Sequence, residues 1–156
     1  MAQPLEQTQP SQRVRQRWMS ILARATPDEL EKFWETSPHR CELKIIRKPE
    51  VGMIMVKGKV GGTGSKFNIG EMTVTRCSVQ LESGTVGHCY RPGRHLESAK
   101  IAAAFDALMQ EKDAAEGLEK TVIQPIELRL KNEKVKRRSQ TEATKVDFFT
   151  LVRGED

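Results

Sequence analysis

Apolar residues recur at helical spacing in QRVRQRWMSILARA, where Val14, Trp18, Ile21 and Leu22 share one side, predicting a first helix from Ser11. Thr26-Pro27-Asp28-Glu29 then reads as a second helix start. Thr26 can accept from the Asp28 or Glu29 amide, Pro27 suits the first turn, and Glu29 can bond back. Leu30, Phe33 and Trp34 give that helix an apolar side, and Pro38 closes it. The pattern then becomes β-like. CELKIIRKPE centres on Leu43-Lys44-Ile45-Ile46, a turn is predicted at Lys48-Pro49-Glu50, and VGMIMVKGKV follows as a second strand. After the glycine-rich GGTGSKFNIG comes a longer strand, EMTVTRCSVQLE, then a turn at Ser83-Gly84 and a last strand, TVGHCYR.

HLESAKIAAAFDALMQEK is the clearest helix, with Ala99, Ala102, Ala103, Phe105, Leu108 and Met109 as a smooth apolar stripe. Gly117 leads into a connector, TVIQP. IELRLKNEKVKRRSQTEATK is charged, helical in composition and almost without a stripe, and VDFFTLVRG is sharply apolar. These elements predict an α+β fold: helices packed on an antiparallel sheet of about four strands, with terminal arms. Residues 1–10 form a polar leader expected to be disordered, and 11–156 a single domain in which 126–156 combine a basic stretch with an apolar docking arm.

Ser83 and Gly84, taken as a two-residue loop, act as a ruler for the last hairpin. Leu81 then faces Val86, Val79 faces His88 and Cys77 faces Tyr90, and this apolar face is the expected core side. His88 is therefore expected to be buried, and Cys77 and Cys89 to point to opposite faces. The same register sets Arg76 against Arg91, a like-charge pair that calls for a carboxylate or a bound anion nearby.

A length of 156 residues with 37% hydrophobic and 30% charged residues fits one soluble domain. No run is long and apolar enough for a membrane span, and no secretory leader is visible, so the expected location is cytoplasmic. Cys41, Cys77 and Cys89 lack CxxC spacing and are expected to be reduced. A zinc site would have to gather His39, Cys41, His88, Cys89 or His95 from separate elements, and no metal is assigned. The net charge of +5 is unevenly spread. Arg13, Arg15, Arg17 and Arg24 crowd one end, and Arg129, Lys131, Lys134, Lys136, Arg137, Arg138 and Lys145 the other. Such a balance suits an anionic partner or solvated helix faces.

GGTGSKFNIG suggests a phosphate-cradling loop, but Lys59 is followed by Val60, and Gly64 by Ser65-Lys66, so the Walker pattern fails at both places. The segment leads into a strand and offers no helix N-terminus, so a glycine-permitted turn or bulge is the favoured reading. No histidine stands beside a nucleophile or paired carboxylates in a recognisable set, and no catalytic residue is assigned.

RQRWMSILA, GGTGSKFNIGEMTVTR, SGTVG, Gly93-Arg94, DALMQ and VDFFTLVRG occur in order from about Arg15 to Gly154. Together they resemble the G subunit family of the bacterial carbon–phosphorus lyase machinery. The resemblance implies membership of a multi-subunit complex of phosphonate catabolism, with the H, I and L subunits in the first reaction and J and K in the wider machinery. In that reaction an alkylphosphonate displaces adenine from ATP to give a ribose 1-phosphonate 5-triphosphate. ATP and alkylphosphonate are substrates of the complex, no cofactor belongs to this subunit alone, and the radical chemistry lies on the separate J subunit. A triphosphate would want Arg, Lys and backbone amides, so Gly61, Gly62, Thr63, Gly64, Lys66, Arg76 and Arg94 are candidates for an anion site shared with a partner. Trp18, Phe148, Phe149, Leu151, Val152 and Arg153 are candidates for the partner interface, the competing view being that the apolar ones complete this chain's own core. The alternative function is a basic nucleic-acid-binding α+β module, disfavoured because aromatic residues make up only 5% of the chain.

Overall fold

The computed structural model describes residues 11–143. Helix α1 (Gln12–Ala23) leads to α2 (Pro27–Thr36), whose start is locked by the predicted capping box. The Glu29 amide donates to Thr26 Oγ1 at 3.2 Å, and the Thr26 amide donates to Glu29 Oε2 at 2.8 Å.

Strand β1 (Lys44–Lys59) pairs antiparallel with β2 (Lys66–Gln80), which pairs antiparallel with β3 (Val86–Pro92). Among the described residues the sheet thus has three strands in the order β1-β2-β3, where the sequence predicts about four. The turn expected at Lys48-Pro49-Glu50 is instead an irregularity inside one long strand, marked by register shifts between Ile45 and Arg47 and between Arg47 and Glu50. Because β1 is an edge strand, the missing Pro49 N–H costs no ladder bond on its open side.

The β2–β3 loop has three residues, Glu82, Ser83 and Gly84, rather than two. The Gly84 amide donates to the Leu81 carbonyl at 3.0 Å, the Leu81 amide to the Thr85 carbonyl at 2.9 Å, and Gly84 sits at φ 92°. A third loop residue in the left-handed region moves the register by one. Cys77 therefore faces Cys89, Ser78 faces His88, Arg76 faces Tyr90, and Thr75 faces Arg91. On β2 the expected core face holds; on β3 every side chain is reversed from the expectation. Cys89 and Arg91 are buried, His88 and Tyr90 are exposed, and Cys77 and Cys89 share the core side as free thiols.

Helix α3 (Leu96–Leu108) covers this buried face, and α1 and α2 pack against α3 in turn. Contact with the sheet is close because Gly87 has no side chain: a Cβ there would lie 1.9 Å from the Ala103 carbonyl oxygen and 2.6 Å from the Ala107 nitrogen. Phe105, fully buried, meets Trp34 edge-on at a ring separation of 5.5 Å, a pair worth about 1 kcal/mol beyond its burial.

The expected connector after Gly117 is helical. Helix α4 (Lys112–Leu118) passes through a π-helical turn, Glu119–Ile123, into α5 (Gln124–Ala143). Leu118, Val122, Ile123 and Ile126 are all buried, and that burial favours helix over loop. Pro125 follows the π-helical turn at once, and its missing N–H leaves one intrahelical bond unmade where the helix changes pitch. Arg17 donates to Glu119 and Glu127 at 2.9 and 2.8 Å, and Arg129 holds Glu29 through bonds of 2.6 and 2.8 Å. These pairs fix the base of α5; from Lys131 to Glu142 the helix is exposed. No helix among the described residues is long and apolar enough to cross a membrane.

Candidate functional site

Only part of the sheet belongs to the packed body. Strand β3 pairs with β2 from Gln80 to Val74 and no further. Beyond that point β1 and β2 pair only with each other, from Met53↔Thr73 to Lys59↔Lys66. This two-stranded ribbon extends about 25 Å. An isolated hairpin is marginally stable in water, and among the described residues none from 53 to 73 is buried.

The ribbon is also apolar. Ile54 lies opposite Met72, and on the same face, past a register shift at Val56, Phe67 and Ile69 close over Gly58. Exposures are 39% for Ile54, 48% for Phe67 and 62% for Ile69. Met53, Met55 and Val60 add exposed apolar surface, and Lys57, Lys59 and Lys66 ring the tip. A cluster of this kind on an arm is a candidate contact surface for another macromolecule.

The predicted anion residues do not converge. Gly61, Gly62, Thr63 and Gly64 form the ribbon tip, with Gly61 and Gly62 at φ 58° and 81°, so this stretch is the glycine-permitted turn. Lys66 starts β2 there, whereas Arg76 lies ten residues along the strand, about 33 Å away. Arg76 Nε donates to Glu50 Oε1 at 2.6 Å, so a carboxylate does neutralise it, although Arg91 is not its neighbour. Arg94 is exposed just beyond β3.

Trp18 is 2% exposed and belongs to this chain's own core, a correction to its expected place at a partner interface. Its indole Nε1 donates to Asp106 Oδ1 at 2.8 Å. Asp106, fully buried in the middle of the apolar α3, also accepts from Arg15 Nε and Nη2 and from the His88 amide, the last two at 2.7 and 2.8 Å. It joins α1, α3 and β3, and its acceptors are all used. The sequence reading missed this hub, although an acid inside IAAAFDALM was the available signal. The predicted interface residues Phe148, Phe149, Leu151, Val152 and Arg153 lie outside the described residues.

Ser78 Oγ and His88 Nδ1 are 2.9 Å apart on the exposed sheet face. Among the described residues no carboxylate orients the second ring nitrogen, and the pair lacks the third member of a hydrolytic set. The described residues hold no cluster of His, Cys, Asp or Glu able to bind a metal ion.

A family profile described as "Phosphonate metabolism protein PhnG" matches residues 13–154. The alpha-D-ribose 1-methylphosphonate 5-triphosphate synthase subunit PhnG of Rhizobium meliloti (strain 1021) is 43% identical over 142 residues, spanning 91% of this chain and 90% of the relative.

Proposed function

The chain belongs to the PhnG family of phosphonate metabolism proteins, and from this premise we propose that it is the G subunit of an alpha-D-ribose 1-methylphosphonate 5-triphosphate synthase, docked on its sister subunits through the β1–β2 ribbon. In the reaction of that assembly a phosphonate oxygen bonds to the ribose C1 of ATP as the bond from C1 to adenine breaks. ATP and the alkylphosphonate are substrates of the assembly, and no cofactor is assigned to this subunit. We place the complex in the cytoplasm, with I and H as direct partners, L joining them in the first reaction, and J and K in the larger machinery.

One observation carries the docking role: an apolar ribbon that no described residue outside it covers. The relative's name describes a subunit, which supplies the kind of partner such a ribbon needs. Burying Ile54, Phe67, Ile69 and Met72 in a partner groove would yield about 1.5 to 3 kcal/mol each, before the cost of association. The basic tip suits a groove with an acidic rim. We assign the chain no turnover of its own. No observation favours the nucleic-acid-binding alternative.

Co-expression with the I, H and L subunits tests this reading. A Phe67→Asp/Ile69→Asp variant should fold as the parent does, fail to co-purify with the partners, and abolish phosphonate-dependent adenine release by the reconstituted mixture. Unchanged co-purification would remove the ribbon from the interface. Adenine release from ATP and methylphosphonate by the isolated chain would end the non-catalytic assignment.

A further inference from the structure

Arg91 is a charged residue in the wrong place for a structural part. It is 3% exposed, and only one of its donors is used: Nη2 donates to the Ala25 carbonyl at 2.7 Å. Its Nε and Nη1 are buried and have no hydrogen-bond partner among the described residues. An ionised group left in this state costs several kcal/mol. Burial also pushes the guanidinium below its ordinary value, although it stays protonated. Among the described residues no carboxylate pairs with it; its cross-strand neighbour is Thr75, whose hydroxyl is committed to the Gly93 carbonyl at 2.7 Å.

The side chain lines a cavity of about 550 Å³, within the range of small-molecule sites. The end of α1, the end of β3, the start of α3 and one face of α5 form its walls. Arg24, Lys134, Arg137 and His95 join Arg91 in the lining, and Glu133 is the sole carboxylate there. Glu133 is already held by Arg129 at 2.7 Å. Among the described residues neither Lys134 nor Arg137 has an ion-pair partner. His95, which begins α3, makes no side-chain cap, so the positive end of that helix also borders the space.

We propose that this cavity is a binding site for a phosphate-class oxyanion, with Arg91 as its buried anchor and Arg24, Lys134 and Arg137 as its rim. The basic residues come from the end of α1, from β3 and from α5, and Arg24 Nε and Nη2 already donate to the Ser20 carbonyl and hydroxyl at 2.9 and 3.0 Å. That arrangement fits a tetrahedral dianion, whose oxygens point outward in several directions, better than a planar carboxylate, which one guanidinium fork satisfies. The site lies on the packed body, does not involve the β1–β2 ribbon, and does not depend on the docking role proposed above.

Calorimetric titration of the full-length isolated chain with inorganic phosphate, methylphosphonate and tripolyphosphate tests the proposal, with acetate as the planar control. One saturable site per chain is expected, with affinity falling as salt rises. Arg91→Met should weaken binding by at least about tenfold, the worth of the charged hydrogen bonds removed. Lys134→Gln/Arg137→Gln changes only exposed side chains, should leave folding intact, and should weaken binding by a smaller factor. If Arg91→Met does not fold, this second variant decides. Absence of saturable binding by the parent chain overturns the proposal, as does affinity unchanged in every variant that folds. Acetate competing as well as phosphate would overturn the phosphate class. None of these results bears on co-purification with sister subunits, so the two readings can fail separately.

Discussion

The β2 strand belongs to two environments. From Val74 to Gln80 it lies between two strands under α3, with Thr75, Cys77 and Val79 at no more than 1% exposure. From Lys66 to Thr73 it pairs with β1 alone, and Phe67, Ile69 and Met72 are 48%, 62% and 38% exposed. The apolar content of the two halves is similar, but their energetics differ. In the first half the stabilisation is gained within the chain; in the second it is available only to whatever covers the ribbon. Polar groups follow the same division. Asp106 in the body has four donors around it, whereas the lysines at the ribbon tip face solvent.

Substitutions should separate the two regions by the size of their effect on the isolated chain. Gly87→Ala should cost the most, about 3 kcal/mol or more in urea unfolding, because its Cβ meets α3 backbone rather than a side chain that can turn aside. Asp106→Asn should cost about 3 kcal/mol, since an amide would present a donor to a site already filled with donors. The partly exposed Arg15 limits the loss.

Glu29 gives a smaller and pH-dependent effect. Burial opposes its charge, yet the Arg129 fork and the Thr26 amide outweigh it and hold the carboxyl below its ordinary range. A depressed folded pKa contributes stability that is present above the unfolded value of about 4.3 and is lost as pH falls through the folded value. Glu29→Gln should therefore cost about 1 kcal/mol at pH 7, and the gap to the parent should shrink in unfolding curves taken towards pH 3.

Phe67→Thr/Ile69→Thr in the ribbon should change the unfolding free energy by less than about 0.5 kcal/mol, as expected for exposed positions. A loss of 2 kcal/mol or more would show that the ribbon is packed, and the contrast between the halves of β2 would fail. Thiol labelling offers a last comparison without mutation. Burial pushes the Cys89 thiol up to about 12 and also raises Cys77 and Cys41, but of the three only Cys41 is exposed, so alkylation of the native chain at pH 8 should reach it first. Mass spectrometry of the labelled peptides reads the order.

Much of the fold was legible in short stretches. Thr26 to Glu29 announced a helix start, the alanine-rich stripe announced α3, and the glycines at 61–64 announced a turn rather than a nucleotide loop. Pro49 misled because proline at an edge strand is tolerated, and which strand lies at an edge is not written locally. TVIQP misled because Pro125 reads locally as a helix breaker, whereas the burial of Val122 and Ile123 carries the helix past it through a π-helical turn. The site was less legible. Arg91 was visible as an unexpected charge, but its assigned partner was wrong by one register step.

The chain alone determined its α+β class, its helix caps and the family to which it belongs, because each rests on neighbouring residues or on motifs in order. Only the folded arrangement decided which face of β3 looks inward, that Asp106 is satisfied while Arg91 is not, and that half of a hairpin stands uncovered. The reason is geometric. A strand turns over with a single-residue shift, and the environment of a charge depends on segments far away in sequence.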